Sequence, residues 1–125
     1  MSQWIGKATL SLTGTRRITL GGFLPTWAKI YIDEDNSGVD PNTHICIGET
    51  DGTTQSYESS LKNGVNEKYE NGNDRIVKHF AYSGGFITPV EAEFLAFEYF
   101  AGYNTIKLNI ISASSNYKVK IVCGD

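Results

Sequence analysis

The chain contains few cysteines, prolines and histidines, the residues that form disulfides, kink the backbone or bind metal ions in small proteins. Its 125 residues include only two cysteines, two histidines, three prolines and one methionine. Cys46 and Cys123 are too few for a four-ligand zinc site and too far apart for a CxxC redox pair. We expect both to be buried thiols, with a disulfide between them as the alternative.

Basic residues are also scarce. The chain has 11 Lys and Arg against 14 Asp and Glu, a formal net charge of -3, and its only adjacent basic pair is Arg16-Arg17. Nucleic-acid-binding domains owe most of their affinity to a basic face that neutralises phosphates. No nucleic-acid partner is therefore expected.

Long apolar runs are missing from the sequence. No stretch approaches the roughly 20 residues that a membrane-spanning helix needs, and no charged leader with an apolar segment follows Met1. The sequence therefore predicts no membrane insertion and no secretory signal peptide. We expect a soluble protein made in the cytoplasm.

What the chain does contain is an apolar period of two residues, repeated from end to end. Turn formers such as Asn63-Gly64 and Ser83-Gly84-Gly85 separate the periodic runs. Seven or eight short strands at such intervals predict one all-β domain over residues 1–125. The expected fold is an antiparallel, jelly-roll-like β-sandwich with at most one short helix. The clearest runs are residues 7–12, 17–20, 27–32, 44–48, 76–83, 105–112 and 117–123.

Two segments fit this period less well. Residues 92–101 combine good helix formers with apolar residues on more than one face; we predict a strand, with a helical turn as the alternative. Residues 49–73 are polar and predict a long loop. Because Tyr57 and Tyr69 are isolated anchors in that stretch, we expect it to act as an arm that orders against a neighbouring molecule.

The acidic run that begins at Asp33 is the strongest candidate for a metal site. It places oxygen-bearing side chains at positions one, three and five and glycine at position six, as a calcium-binding EF-hand loop does. Position twelve is His44 instead of a bidentate glutamate. We expect a polar turn and no cofactor, with calcium at Asp33, Asp35 and Asp40 as the alternative.

Catalytic machinery is not indicated by the sequence. His44 and His79 have no neighbouring Ser or Cys in a known nucleophile pattern. Cys46 follows His44 by two residues, but a reactive cysteine needs an exposed, electropositive setting. We expect packed histidines and no enzyme.

Aromatic side chains are the remaining candidates for binding. Trp27, Tyr57, Tyr69 and Tyr82 lie in or beside polar segments. Such amphipathic rings stack on sugar rings or bury at subunit interfaces. Both uses stay open at this point.

Two segments resemble a known group of proteins. Residues 17–31 contain an apolar strand, a Gly-Phe-x-Pro corner written here Gly21-Gly22-Phe23-Leu24-Pro25, and an alternating strand. Residues 92–109 contain a strand, a Gly102-Tyr103 turn and a strand with Leu108-Asn109. Together they resemble the small β-sandwich structural proteins of tailed-bacteriophage virions, such as capsid decoration, head-fibre and tail accessory proteins.

The resemblance implies a function as well as a fold. It implies a non-enzymatic virion component that forms a homo-oligomer, such as a trimer, and binds other virion proteins. A carbohydrate-binding adhesin that recognises a host-surface glycan is the alternative.

Overall fold

The computed structural model describes residues 2–34, 43–114 and 116–125, with the backbone alone at residues 33, 34 and 43. Within these ranges the chain forms ten strands and no helix. The strands are β1 (Gln3–Leu10), β2 (Gly14–Thr19), β3 (Trp27–Glu34), β4 (Thr43–Thr50), β5 (Gln55–Asn63), β6 (Asn66–Gly72), β7 (Val77–Tyr82), β8 (Phe86–Phe100), β9 (Tyr103–Ala113) and β10 (Tyr117–Gly124).

The strands form two antiparallel sheets packed face to face, which confirms the predicted β-sandwich. The six-stranded sheet has the order β1-β10-β3-β4-β5-β6, and the four-stranded sheet has the order β2-β9-β8-β7. The chain passes from one sheet to the other four times, between β1 and β2, β2 and β3, β6 and β7, and β9 and β10. No described residue belongs to a helix long and apolar enough to cross a membrane.

The two-residue period produces the core directly. In β3, Ala28, Ile30 and Ile32 are buried, whereas Lys29 between them is exposed. Successive strand side chains point to opposite faces, so each periodic run gives one face to the space between the sheets. The other sheet contributes Phe94, Ile106, Leu108 and Ile110 among others.

The predicted long loop and arm over residues 49–73 is wrong. This segment supplies the end of β4 and the whole β5–β6 hairpin, so the chain has ten strands and not the expected seven or eight. The period was hidden because Ser59 occupies a buried position between Tyr57 and Leu61. Its hydroxyl donates a hydrogen bond to the carbonyl oxygen of Lys78 on β7, which satisfies a polar group inside the sandwich.

The strand predicted over residues 92–101 is confirmed, although the alternation of inward and outward side chains along it is interrupted once. Phe94 pairs with Leu108 and Ala96 with Lys107, so Leu95 is an extra residue that forms a β-bulge. After the bulge the inward positions shift by one residue. Phe97 therefore follows Phe94 into the core, with their ring centroids 5.0 Å apart.

Both cysteines are buried and free, as predicted. They lie on strands that flank β3, where Cys46 pairs with Ile32 and Cys123 with Ala28. Their partners on β3 are four residues apart, so the two cysteines are separated by about 13 Å along the strand direction alone. Cα atoms in a disulfide are usually about 4.4–6.8 Å apart, so these two cannot form one.

We expect Gly48→Ala to destabilise the protein strongly. An added Cβ at Gly48 would overlap the backbone carbonyl of Ile76, the residue that precedes β7. A backbone group held by a hydrogen bond from Ile76 N–H to the Ala92 carbonyl cannot rotate away. Overpacking of this kind costs about 1–3 kcal/mol, and we expect about 3 kcal/mol because the clash involves backbone. Urea denaturation measures the change.

Gly22→Ala is the matched control, because no atom lies within 4 Å of a Cβ built at Gly22. Its unfolding free energy should stay within about 0.5 kcal/mol of the parent value. Equal losses in the two variants would contradict the predicted contact between the sheets.

Candidate functional site

The candidate site is the outer sheet face, the surface formed by side chains of the six-stranded sheet that point away from the core. Residues paired across antiparallel strands lie on the same face. The strand pairing therefore defines continuous rows of side chains across this sheet. The first row is Lys7, Lys120, Tyr31, Ile47, Glu58 and Asn71, and the second is Ile5, Val122, Lys29, Glu49 and Ser56.

The centre of the outer sheet face is apolar. Tyr31 on β3 lies beside Ile45 and Ile47 on β4, and Ile47 is 39% exposed. Lys120 extends toward Tyr31, with its Nζ 6.0 Å from the centroid of the ring. An apolar centre with a polar margin is the usual arrangement of a protein–protein interface.

Six charges in and beside these two rows are separated by sign: the lysines lie on β1, β10 and β3, and the glutamates lie on β4 and β5. Farther along the strands, Lys62 on β5 and Glu67 on β6 also point outward, and they pair with each other at 3.5 Å. In the part of the chain that the structure describes, none of these six charged groups forms an ion pair within 4 Å. The six are Lys7, Lys29, Lys118, Lys120, Glu49 and Glu58.

On the four-stranded sheet, by contrast, carboxylates have partners within the same chain. Arg17 Nε lies 2.6 Å from Glu98 Oε1, and Asn109 Nδ2 lies 2.8 Å from Glu93 Oε1. These carboxylates are satisfied within the monomer. The six charges named above on the outer sheet face have no ion-pair partner within 4 Å among the described residues of their own chain.

Two of the four predicted aromatic residues lie on this face. Trp27 is in the outward set of β3, where its indole ring covers Gly124 on β10 and adjoins Glu49. Tyr69 on β6 pairs with Ser60 and is 62% exposed. They stand at opposite ends of the sheet, so they do not form one stacking platform.

The other two predicted aromatics have structural contacts instead. Tyr57 is only 3% exposed, and its hydroxyl donates a 2.7 Å hydrogen bond to Glu70. Burial, followed by that bond to Glu70, raises the pKa of Tyr57 to about 12. Tyr82 packs edge-to-face on Phe86, with centroids 5.3 Å apart, in the β7–β8 hairpin of the four-stranded sheet.

The β8–β9 hairpin tip is a second exposed aromatic surface, and the sequence reasoning missed it. Tyr99, Phe100 and Tyr103 are between 47% and 68% exposed. Phe100 and Tyr103 flank a two-residue turn, Ala101-Gly102, in which both residues have positive φ, at 51° and 88°. The Arg17 guanidinium carbon lies 3.9 Å from the centroid of the Phe100 ring and holds it in place.

A signal for this tip is present in the sequence. Two central residues between paired aromatics are typical of a type I′ hairpin turn, which needs positive φ at both positions. Ala101 is an unfavourable residue for that conformation, and the turn predicted from the sequence accordingly lies one residue later, at Gly102-Tyr103.

The predicted metal residues fall mostly beyond the described part of the chain. Asp35 and Asp40 lie outside the described residues, and for Asp33 only the backbone is described, in β3. Among the residues that are described, no group of three or more His, Cys, Asp or Glu side chains is arranged to hold a metal ion.

The side chains with nucleophilic or acid–base chemistry lie inside the sandwich. His44 and His79 are buried, with ring centroids 6.4 Å apart, and His79 packs edge-to-face on Tyr117 at 5.6 Å. Burial raises the pKa of the Cys46 thiol. A nucleophilic cysteine requires the opposite shift and an accessible sulfur.

No family model, curated protein or solved structure matches the chain. The site is therefore argued from its own geometry and chemistry.

We expect Glu70→Gln to reveal a pH-dependent contribution to stability. Hydrogen bonds from Lys78 and Tyr57 hold the pKa of Glu70 below its ordinary value. A lowered pKa means that the carboxylate stabilises the fold above the unfolded pKa of about 4.3, and that this contribution is lost as the pH falls through the folded value. The variant should lose about 1 kcal/mol at pH 7, and this loss should shrink as the pH is lowered below about 4.3.

Urea denaturation of both proteins at a series of pH values measures this difference. Glu67→Gln is the control, because Glu67 is exposed and its only contact of this kind among the described residues is Lys62 at 3.5 Å. Its stability should match the parent at every pH. A difference for Glu70→Gln that is independent of pH would contradict the assignment.

Proposed function

We propose that this chain is a non-enzymatic structural subunit of a bacteriophage virion, which acts by binding copies of itself and other virion proteins. The observation that carries the proposal is the outer sheet face, with an apolar centre between lysines and glutamates that lack ion-pair partners among the described residues.

An apolar surface between charges that lack partners in the described part of the chain is better explained by a protein that assembles than by one that stays monomeric. Charges separated by sign around apolar residues steer association, suppress wrong partners and fix the register of an interface. The four-stranded sheet satisfies its carboxylates internally, through Arg17–Glu98 and Arg75–Glu91 contacts of 2.6 and 2.7 Å. The difference between the two sheets supports a binding role for one of them.

The kind of assembly is proposed from the resemblance of residues 17–31 and 92–109 to virion proteins. Residues 21–26 form the corner that joins β2 to β3, with Pro25 buried and Phe23 packed against the core. Residues 92–109 form the long β8–β9 hairpin. These are the structural elements on which the resemblance depends, and we propose the virion as the site of action.

We expect the chain to be a component of phage particles. In lysates of the cells that produce it, antibodies should detect the chain in the fraction that bands at the buoyant density of phage. High-salt washing separates trapped protein from assembled subunits, because screening weakens only surface electrostatics and leaves apolar contacts intact. A chain found only among unassembled proteins would overturn the virion proposal.

A second function is favoured by the hairpin tip. Tyr99, Phe100 and Tyr103 place three exposed rings around the β8–β9 turn, with Phe100 and Tyr103 paired on one face and Tyr99 on the other. Aromatic rings give large contact area at low entropic cost and stack on the apolar faces of sugars. A host-surface glycan is the ligand that we propose for this tip.

A glycan array tests this second function. Tyr99→Ala combined with Tyr103→Ala should reduce binding of any retained glycan at least tenfold, or about 1.4 kcal/mol. Tyr69→Ala is the control, because it removes an equally exposed ring from the outer sheet face. The adhesin proposal fails if the parent protein retains no glycan, or if the tip variant binds as well as the parent.

A further inference from the structure

The outer sheet face is complementary in charge to itself about its own centre line. In the order β1-β10-β3-β4-β5-β6, three strands lie on each side of a line between β3 and β4. In the first row, Tyr31 and Ile47 flank this line. Lys120 and Glu58 occupy the next positions outward, on opposite sides of the line.

We propose that two copies of the chain pack their outer sheet faces together about a two-fold axis that runs along the strands, between β3 and β4. The inference rests on the proposed function as a self-assembling subunit, and it specifies the contact. A dimer of this kind buries the same patch on both copies, so the patch must complement itself.

The axis determines which residues meet. Each row lies over its own reversed copy, so Tyr31 contacts the partner's Ile47, and Lys120 faces the partner's Glu58. Lys120 and Glu58 each lie about 7 Å from the axis, given the spacing of strands. Packed sheets keep their strand directions within about 30° of each other, so these short offsets preserve the pairing.

The second row gives an independent check on the same axis. Lys29 and Glu49 are paired residues on β3 and β4, so rotation places Lys29 over the partner's Glu49. At the margin of the first row, Lys7 faces the partner's Asn71. Neither row therefore places like charges opposite each other.

A two-fold axis that runs across the strands gives a different result. It would place each strand over its own copy. The lysine-bearing strand β1 would then face the partner's β1, and β10 would face the partner's β10. Like charges in contact cost several kcal/mol. The charge pattern thus selects the axis along the strands.

The size of the face agrees with a dimer that forms at moderate concentration. Six strands span about 29 Å. The two rows and a third one, which contains Thr9, Lys118, Ile45, Ser60 and Tyr69, extend about 20 Å along the strands. The contact would bury about 600 Å² on each copy and about 1,200 Å² in total, the lower end of specific interfaces. We therefore expect association in the micromolar range.

Charge exchange tests the inference by sedimentation equilibrium of the full chain. Lys120→Glu and Glu58→Lys should each weaken the dimer at least tenfold, because each single change creates two like-charge contacts. The matched double variant, Lys120→Glu with Glu58→Lys, should restore the dissociation constant to within about threefold of the parent. Circular dichroism and thermal melting confirm that each variant is folded.

A mismatched double variant has the same composition and net charge. Lys120→Glu with Glu49→Lys disrupts both rows, so it should dimerise more weakly than either single variant. Arg16→Glu, an exposed change on the other sheet, should have no effect. The inference is overturned if the parent stays monomeric to about 100 µM, or if matched and mismatched doubles associate equally. A chain that fails here but bands with phage retains the proposed function and loses only this contact.

Discussion

The sandwich depends on a close approach of its two sheets at Gly48, where β4 has no room for a side chain because the backbone of Ile76 lies against it. This contact holds the centre of the six-stranded sheet against the four-stranded sheet, at the residue that directly precedes β7. It also leaves Ile47 and Glu49, the neighbours of Gly48, pointing outward. The same short segment of β4 therefore closes the core and builds the centre of the outer sheet face.

Seven of the ten described strands follow from the two-residue period, because their inward positions are mostly apolar. The eighth, β8, was predicted from its aromatic residues although it fits the period less well. The β5–β6 hairpin does not follow, because its inward positions are filled by Ser59, Lys68 and Glu70 as well as by Tyr57 and Leu61. Lys78 on β7 satisfies Ser59 through its carbonyl oxygen and Glu70 through its Nζ, and Glu70 in turn accepts the hydrogen bond from the Tyr57 hydroxyl. A periodicity argument counts such positions as solvent-facing, since it has no knowledge of the partner strand.

The candidate site was harder to predict than the fold. Trp27 and Tyr69 were identified by type, but the lysine and glutamate halves emerge only when β10 inserts between β1 and β3. That strand order brings Lys120 beside Tyr31 from 89 positions away in the chain. The bulge at Leu95 likewise changes which aromatics of β8 face outward. Turns and the apolar pattern indicate the register of neighbouring strands, but the insertion of β10 between two strands that are distant in the sequence is a tertiary property without a local signal.

The polar β5–β6 hairpin has a consequence for the charge pattern of the outer sheet face. Without it, the sheet would end at β4, and the charged side chains described on its outer face would be four lysines and Glu49. A surface of that kind attracts anions and repels its own copies. Adding one hairpin to the edge supplies Glu58 and moves the midline of the sheet to lie between β3 and β4. In the proposed dimer, the negative half of the self-complementary pattern therefore depends on one edge hairpin.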